Sequence, residues 1–67
     1  MKIQALLGIN GYNLMVCQST RNLYHFSILD RSIVVHNFDG VYPNLEAAIA
    51  RGKSVIQNLG YKQKTNN

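Results

Sequence analysis

Residues 43–60, PNLEAAIARGKSVIQNLG, carry the signals of an amphipathic α-helix. Asn44 is a favoured N-cap residue, and Gly60 suits the left-handed position that commonly ends a helix. Between them, apolar and small residues recur at a spacing that brings them to one side of a helix: Leu45, Ala48, Ile49, Gly52, Ile56 and Leu59. The pattern predicts a helix over residues 45–59 whose apolar side packs against a sheet. Gly52 on that side indicates a close approach to a bulky strand residue, for example an aromatic one.

Upstream of the helix, Asn10-Gly11 is the preferred pair of a two-residue type I′ hairpin turn. This turn places Ile9 opposite Tyr12 and, farther along, Ile3 opposite Gln18. One face then carries Ile3, Ala5, Leu7, Ile9, Tyr12, Leu14 and Val16. The other face carries Lys2, Gln4, Leu6, Gly8, Asn13, Met15, Cys17 and Ser19. Because the turn and the period-2 pattern agree, the sequence predicts a hairpin whose first face packs against the helix.

Residues 19–22 form the next polar break, and two strands rich in β-branched and aromatic residues follow over residues 23–29 and 33–38. The chain is therefore predicted to be an α+β protein, ββββα: a four-stranded antiparallel meander of two β-hairpins, packed by one C-terminal α-helix. Residues 1–61 form this single domain, and residues 62–67 are expected to be a flexible polar tail.

The sequence leaves two registers open for the second hairpin. A two-residue loop at Asp30-Arg31 places Phe26 opposite Val35. A three-residue loop places Phe26 opposite His36 and groups on one face Tyr24, Phe26, Ile28, Val34, His36 and Phe38. Asp-Arg is a poor type I′ pair, so turn chemistry does not choose between the two registers.

Composition favours a small cytoplasmic protein. The chain has 67 residues, of which 46% are hydrophobic and 15% charged, so it is too apolar to be disordered. No apolar run approaches the roughly 18 residues of a membrane span, and the segment after Lys2 is too short for a secretory signal. Cys17 is the single cysteine and cannot form an internal disulfide, which agrees with a reducing compartment.

The predicted helix covers one face of the sheet and leaves the other without a second layer. A half-apolar exposed face is typical of an association surface. We therefore expect a non-enzymatic adaptor or regulatory module that binds a protein partner, or itself as a homodimer, through this face. The residues expected to bind the partner are Leu6, Met15, Cys17 and His25, with Lys2 and Arg21 at the rim.

Nucleic-acid binding is the alternative function, because the net charge is +4 and the isoelectric point about 9.6. The residues that would contact phosphates are Arg21, Arg31, Arg51 and Lys53. Arg51 and Lys53 are about 200° apart around a helix and form no basic stripe. Binding of this kind would weaken steeply with salt, whereas an apolar interface would respond little.

No pattern indicates catalysis, a metal or a cofactor. The soft metal-ligating side chains are Cys17, His25 and His36, which lack the spacing of a structural zinc site. The carboxylates are Asp30, Asp39 and Glu46, which are spread over a loop, a strand end and the first helical turn. No glycine-rich segment matches a phosphate-binding loop. We therefore expect no catalytic residue, metal, cofactor or small-molecule substrate.

Residues 41–56, VYPNLEAAIARGKSVI, carry a likeness to known domains. An aromatic residue, an N-cap and a helix that opens on a Glu-Ala step end many small bacterial and cyanobacterial domains. In this plan of strands followed by a helix, the chain resembles HicB-like antitoxin domains and the arm-binding domains of phage-type integrases. The resemblance covers about the last third of the chain. It implies an α+β fold and transfers no site residues.

Overall fold

The computed structural model describes residues 2–37 and 40–64, with side chains as far as residue 59. Its elements are β1 (Lys2–Ile9), β2 (Tyr12–Thr20), β3 (Leu23–Asp30), β4 (Ile33–Asn37) and α1 (Leu45–Lys64). The strands form one antiparallel sheet in the order β1-β2-β3-β4. The predicted ββββα fold is thus confirmed. Phe38 and Asp39, at the predicted end of the fourth strand, lie outside the described residues.

The β1–β2 turn has the predicted conformation. Asn10 has a φ of 53° and Gly11 a φ of 84°, and positive φ at both central residues is what a type I′ turn requires. The predicted pairs next to this turn are present in the sheet: Ile9 with Tyr12, Leu7 with Leu14, and Ala5 with Val16. The local turn chemistry therefore sets the register of most of this hairpin.

A β-bulge changes the register at the start of β1. The pairing shifts between Ile3 and Ala5, so that Ile3 lies opposite Cys17 and Lys2 opposite Gln18. The predicted pairing of Ile3 with Gln18 is therefore wrong. One extra residue in a strand moves every residue beyond it to the other face. Ile3, predicted in the core, is consequently 63% exposed.

Both predicted registers of the second hairpin are wrong. The turn consists of Arg31 and Ser32. Arg31 adopts a backbone φ of 63°, which residues other than glycine seldom adopt. Besides the β1 bulge and a register shift between Gln18 and Thr20 of β2, a further bulge lies in β4. The pairs leading away from the turn are Asp30–Ile33, Leu29–Val34, Ile28–His36 and Ser27–Asn37.

Phe26 and His36 nevertheless share a face, as in the three-residue alternative. Their rings stack with centroids 5.7 Å apart. Val34, which that alternative placed with them, pairs instead with Leu29 and is 51% exposed. The bulge between these pairs is the reason, since it reverses the side on which Val34 lies.

The helix packs across β1, β2 and β3 and buries one face of the sheet. The fully or nearly fully buried core residues are Tyr12, Leu14, Val16, Phe26, Ile28, Ala48 and Ile56. At Gly52, a Cβ atom would come 2.5 Å from Cδ1 of Leu14. This confirms the predicted close approach, although the bulky strand residue is a leucine and not an aromatic one.

The helix begins as predicted and ends later. The backbone N–H of Ala47 donates to Oδ1 of Asn44 at 2.8 Å, which is an N-cap hydrogen bond. The predicted end at Gly60 is wrong, because α1 continues to Lys64. A glycine inside a helix costs only about 1 kcal/mol, and the lysines and glutamine that follow favour helix.

The longer helix also affects the predicted boundary of the tail. Residues 62–64, assigned to the polar tail, belong to α1, and residues 65–67 lie outside the described residues. Within the described part of the chain, no helix combines the length and hydrophobicity needed to cross a membrane.

Candidate interaction surface

The sheet has two different faces. The covered face packs against α1, whereas none of the described elements packs against the opposite one, here called the outer face. Strand alternation and the observed pairs define the outer face by these residues: Ile3, Leu6, Gly8, Asn13, Met15, Cys17, Thr20, Leu23, His25, Ser27, Leu29, Val34 and Asn37. This face is the candidate site.

Four apolar side chains cross the outer face from one edge strand to the other. Leu6 lies opposite Met15, and Leu29 lies opposite Val34. Met15 is opposite Ser27, which places it diagonal to Leu29. We call Leu6, Met15, Leu29 and Val34 the apolar diagonal. It spans three strand spacings, or about 14 Å across the sheet.

The two ends of the apolar diagonal are the accessible parts. Leu6 is 64% exposed on β1, and Val34 is about half exposed on β4. Met15 and Leu29, on the central strands, are half-buried. Ile3 lies beside Leu6 on the same face and is also exposed. The face therefore offers apolar area to a partner without any rearrangement of the fold.

The described outer-face residues carry no formal charge. Lys2, predicted at the rim of this face, pairs with Gln18 and so lies on the covered side of the sheet. The β1 bulge is the reason for this difference. Asp30 also lies on the covered side, opposite Ile33. Arg21, predicted at the rim, is exposed in the β2–β3 turn.

Two small side chains form the centre of the outer face. Cys17 is 4% exposed and Ser27 1% exposed, although no described element covers them. The Ser27 hydroxyl donates to Oδ1 of Asn37 at 3.0 Å. Cys17, a free thiol, was predicted to bind a partner, but at this burial it presents almost no surface. The centre of the outer face therefore presents little surface of its own, in contrast to Leu6 at the β1 edge.

His25, also predicted to bind a partner, is held by hydrogen bonds on both sides of its ring. Its Nε2 lies 3.0 Å from the Ser19 hydroxyl, and its Nδ1 lies 3.3 Å from the carbonyl oxygen of Gly40. Because a carbonyl oxygen only accepts, Nδ1 is the donor in the second contact. The ring thereby links the end of β2 to the segment that leads into α1.

The basic residues of the alternative function do not lie on one surface. Arg21 and Arg31 are in the turns at opposite ends of β3, an eight-residue strand. At about 3.3 Å per residue, these turns are about 26 Å apart. Arg51 and Lys53 are on α1, on the other side of the sheet from the outer face.

The described residues provide no metal centre. Among them, no three or more histidine, cysteine, aspartate or glutamate side chains are grouped closely enough to hold an ion. Cys17 and His25 are paired across β2 and β3 on the outer face, whereas His36 stacks on Phe26 on the covered side.

Sequence reasoning missed Ile3 and Val34 as outer-face residues. Ile3 gave no local signal, because residues 3–5 alternate as a regular strand does. Val34 gave a weak one: Ile33, Val34 and Val35 form an apolar run without alternation, and such a run does not define which residue faces which side.

The chain was compared with protein-family models, with curated proteins and with solved structures. None of the three comparisons produced a significant match. The resemblance to HicB-like and integrase arm-binding domains stays a prediction, and no family is assigned.

Proposed function

We propose that this chain is a non-enzymatic interaction module, with an adaptor or regulatory role, that binds a protein partner or a second copy of itself through its outer face. The observation that supports the proposal is the uncharged apolar diagonal on a face that no described element covers. We further propose that it acts in the cytoplasm, where the free thiol of Cys17 would stay reduced.

The chemistry of the outer face is that of a protein interface. The centres of such interfaces are depleted in charge and enriched in apolar side chains, and methionine adapts its shape to a partner. Leu6, Met15 and Val34 supply these properties. Leu6 is the best anchor, because its side chain is large and the most exposed of the apolar diagonal.

The charge distribution favours a protein over a nucleic acid at this surface. Phosphate contacts need lysine or arginine side chains that follow the backbone of the nucleic acid. The described outer face has none: Lys2 lies on the covered side of β1, Arg21 and Arg31 lie in turns, and the others are on α1. The nucleic-acid alternative is therefore included as an outcome of the test.

A pull-down from the lysate of the chain's own host tests this function with three forms of the tagged protein. These are the unmodified chain, Leu6→Glu, and Ile33→Glu as the matched control. Ile33 is 68% exposed, close to the exposure of Leu6, but it lies on the opposite side of the sheet. Lysates are treated with nuclease, washed at low and high salt, and compared after circular dichroism has confirmed folding of each form.

We expect a discrete protein to be retained by the unmodified chain and by Ile33→Glu, through nuclease and high salt, and to be lost with Leu6→Glu. The retained protein can be the untagged chain itself or another one. Equal retention by all three forms would refute the outer face as the site. Recovery of nucleic acid that disappears at high salt would support the alternative function instead.

A further inference from the structure

We infer that the occupant of the outer face is a second copy of this chain, stacked so that the two outer faces form the centre of a symmetric two-sheet sandwich. This inference rests on the proposed function and commits it to one partner. Three properties of the described residues support it: the small core, the position of the charges and the shape of the face.

The first property is the size of the core. One face of a four-stranded sheet and one side of α1 provide all of the described hydrophobic core. Domains of about this length commonly need disulfides, a metal or association to reach useful stability. One cysteine cannot form an internal disulfide, and the described residues group no metal ligands. A second copy is a partner that is present whenever the chain is.

The second property is the position of the charges. Each copy carries a net charge of +4, so two copies repel each other at long range. The described outer face is uncharged, and its stacking on a second outer face places no like charges in contact. A partner selected by charge would need charged residues on this face. Self-association by such a face should strengthen as salt screens the repulsion.

The third property is that the face is complementary to itself. Leu6, Met15 and Ser27 form one row across three strands. A two-fold axis along β2 would place Met15 against the second copy's Met15 and each Leu6 above the second copy's Ser27. The most exposed leucine would then cover the small Ser27 side chain of the opposing face. Stacked sheets pack about 10 Å apart, which leaves room for leucine and methionine side chains between them.

The size of the face sets the expected strength. With the axis along β2, the strands that face each other are β1, β2 and β3, whose eight or nine residues each cover about 14 by 26 Å, or about 370 Å² in projection. Stable interfaces bury about 800 Å² from each partner. We therefore expect a reversible dimer with a dissociation constant on the order of 10–100 µM.

Analytical ultracentrifugation of the purified full chain tests this inference from low micromolar to about millimolar concentration, at low and high salt. We expect the mass to rise with concentration from 7.6 kDa toward twice that value, and to rise more readily at high salt. Leu6→Glu should weaken association at least about tenfold. Ile33→Glu, which alters the other side of the sheet, should stay within about twofold of the unmodified chain.

A mass of 7.6 kDa at every concentration would overturn the inference, as would equal weakening by Leu6→Glu and Ile33→Glu. If the chain is monomeric but captures a different protein through Leu6, this inference fails and the proposed function stands. If Leu6→Glu changes neither association nor capture, both fail.

A methyl NMR dilution series provides a second readout that does not depend on a variant. The Met15 methyl lies on the outer face, and its chemical shift should change as the dimer dissociates. The Ile56 δ1 methyl is buried between α1 and the covered face, and its chemical shift should stay constant. Shifts confined to Ile56 and its neighbours would contradict stacking of the outer faces.

Discussion

The two faces of this sheet are built from the same strands and differ in what lies on them. Leu14 and Leu6 are in paired strands, yet Leu14 is completely buried beneath α1 and Leu6 is mostly exposed. Met15, Leu29 and Val34 make the outer face apolar as well. The difference teaches that apolar alternation alone does not decide burial here. The layer that packs on each face does.

The width of the helix shows the same effect within the covered side. Among the described residues, α1 packs on β1, β2 and β3 and not on β4. A helix is about 10 Å wide, and strands are spaced about 4.8 Å apart, so one helix covers two or three strands. Ile33 is on the helix side of β4 and still exposed for this reason.

The largest expected effect is the difference in stability between truncating a leucine on the covered face and truncating one on the outer face. Leu14→Ala should destabilise the domain by about 2–5 kcal/mol, because it removes buried apolar contacts and leaves a cavity under α1. Leu6→Ala should change the unfolding free energy by no more than about 0.5 kcal/mol. Urea denaturation at low micromolar protein measures both, since the proposed dimer is then dissociated.

Equal costs for these two variants would contradict the comparison between the faces. A large loss with Leu6→Ala at low protein concentration would mean that the outer face contributes to the stability of the single chain. A loss that appears only at high concentration would instead come from association and would agree with the stacked dimer.

The close approach of α1 to β2 predicts the next largest effect. Gly52→Ala places a Cβ atom 2.5 Å from Cδ1 and 2.8 Å from Cδ2 of Leu14, whose buried side chain has little room to move. We expect a net loss of about 1–3 kcal/mol, although alanine favours helix by about 1 kcal/mol. Thermal and urea denaturation should both report this loss.

A double-mutant cycle separates the clash from other causes. In the Leu14→Ala background the obstructing methyl groups are absent, so Gly52→Ala should become neutral or stabilising. The matched control is Ala50→Gly, at an exposed position of the same helix, which should cost only the difference in helix propensity. Additive effects of Gly52→Ala and Leu14→Ala would show that packing at Gly52 is not limiting.

The part of the fold that sequence predicts correctly is the part with local signals. Asn10-Gly11 specifies its turn, and Asn44 specifies the start of α1. The bulges in β1 and β4 have no such signal, because each depends on how a strand fits its neighbour. Arg31 at positive φ is likewise outside the usual turn chemistry, so neither predicted loop was the one formed.

The candidate site was predictable to a similar extent. The sequence places Leu6 and Met15 on the outer face. Leu6 lies between the β1 bulge and the Asn10-Gly11 turn, and Met15 lies in the regularly alternating part of β2, so the bulge changes the side of neither residue. Lys2 and Ile3 lie beyond the bulge and were assigned to the wrong sides. A local change of register therefore removed a charge from the outer face and added an apolar side chain.

The smallest expected effect concerns Ser27, which is buried on the outer face although no layer covers it. Its hydroxyl donates to the side chain of Asn37, an exposed residue of β4 that water can solvate if the bond is lost. Ser27→Ala should therefore cost only about 0.5 kcal/mol, near the lower end for a hydrogen bond, and Asn37→Ala should cost no more. In the double variant the two losses should not add, because both remove the same bond. A loss above about 2 kcal/mol at low protein concentration would contradict this comparison, since a loss of that size is typical of a packed core such as the one around Leu14.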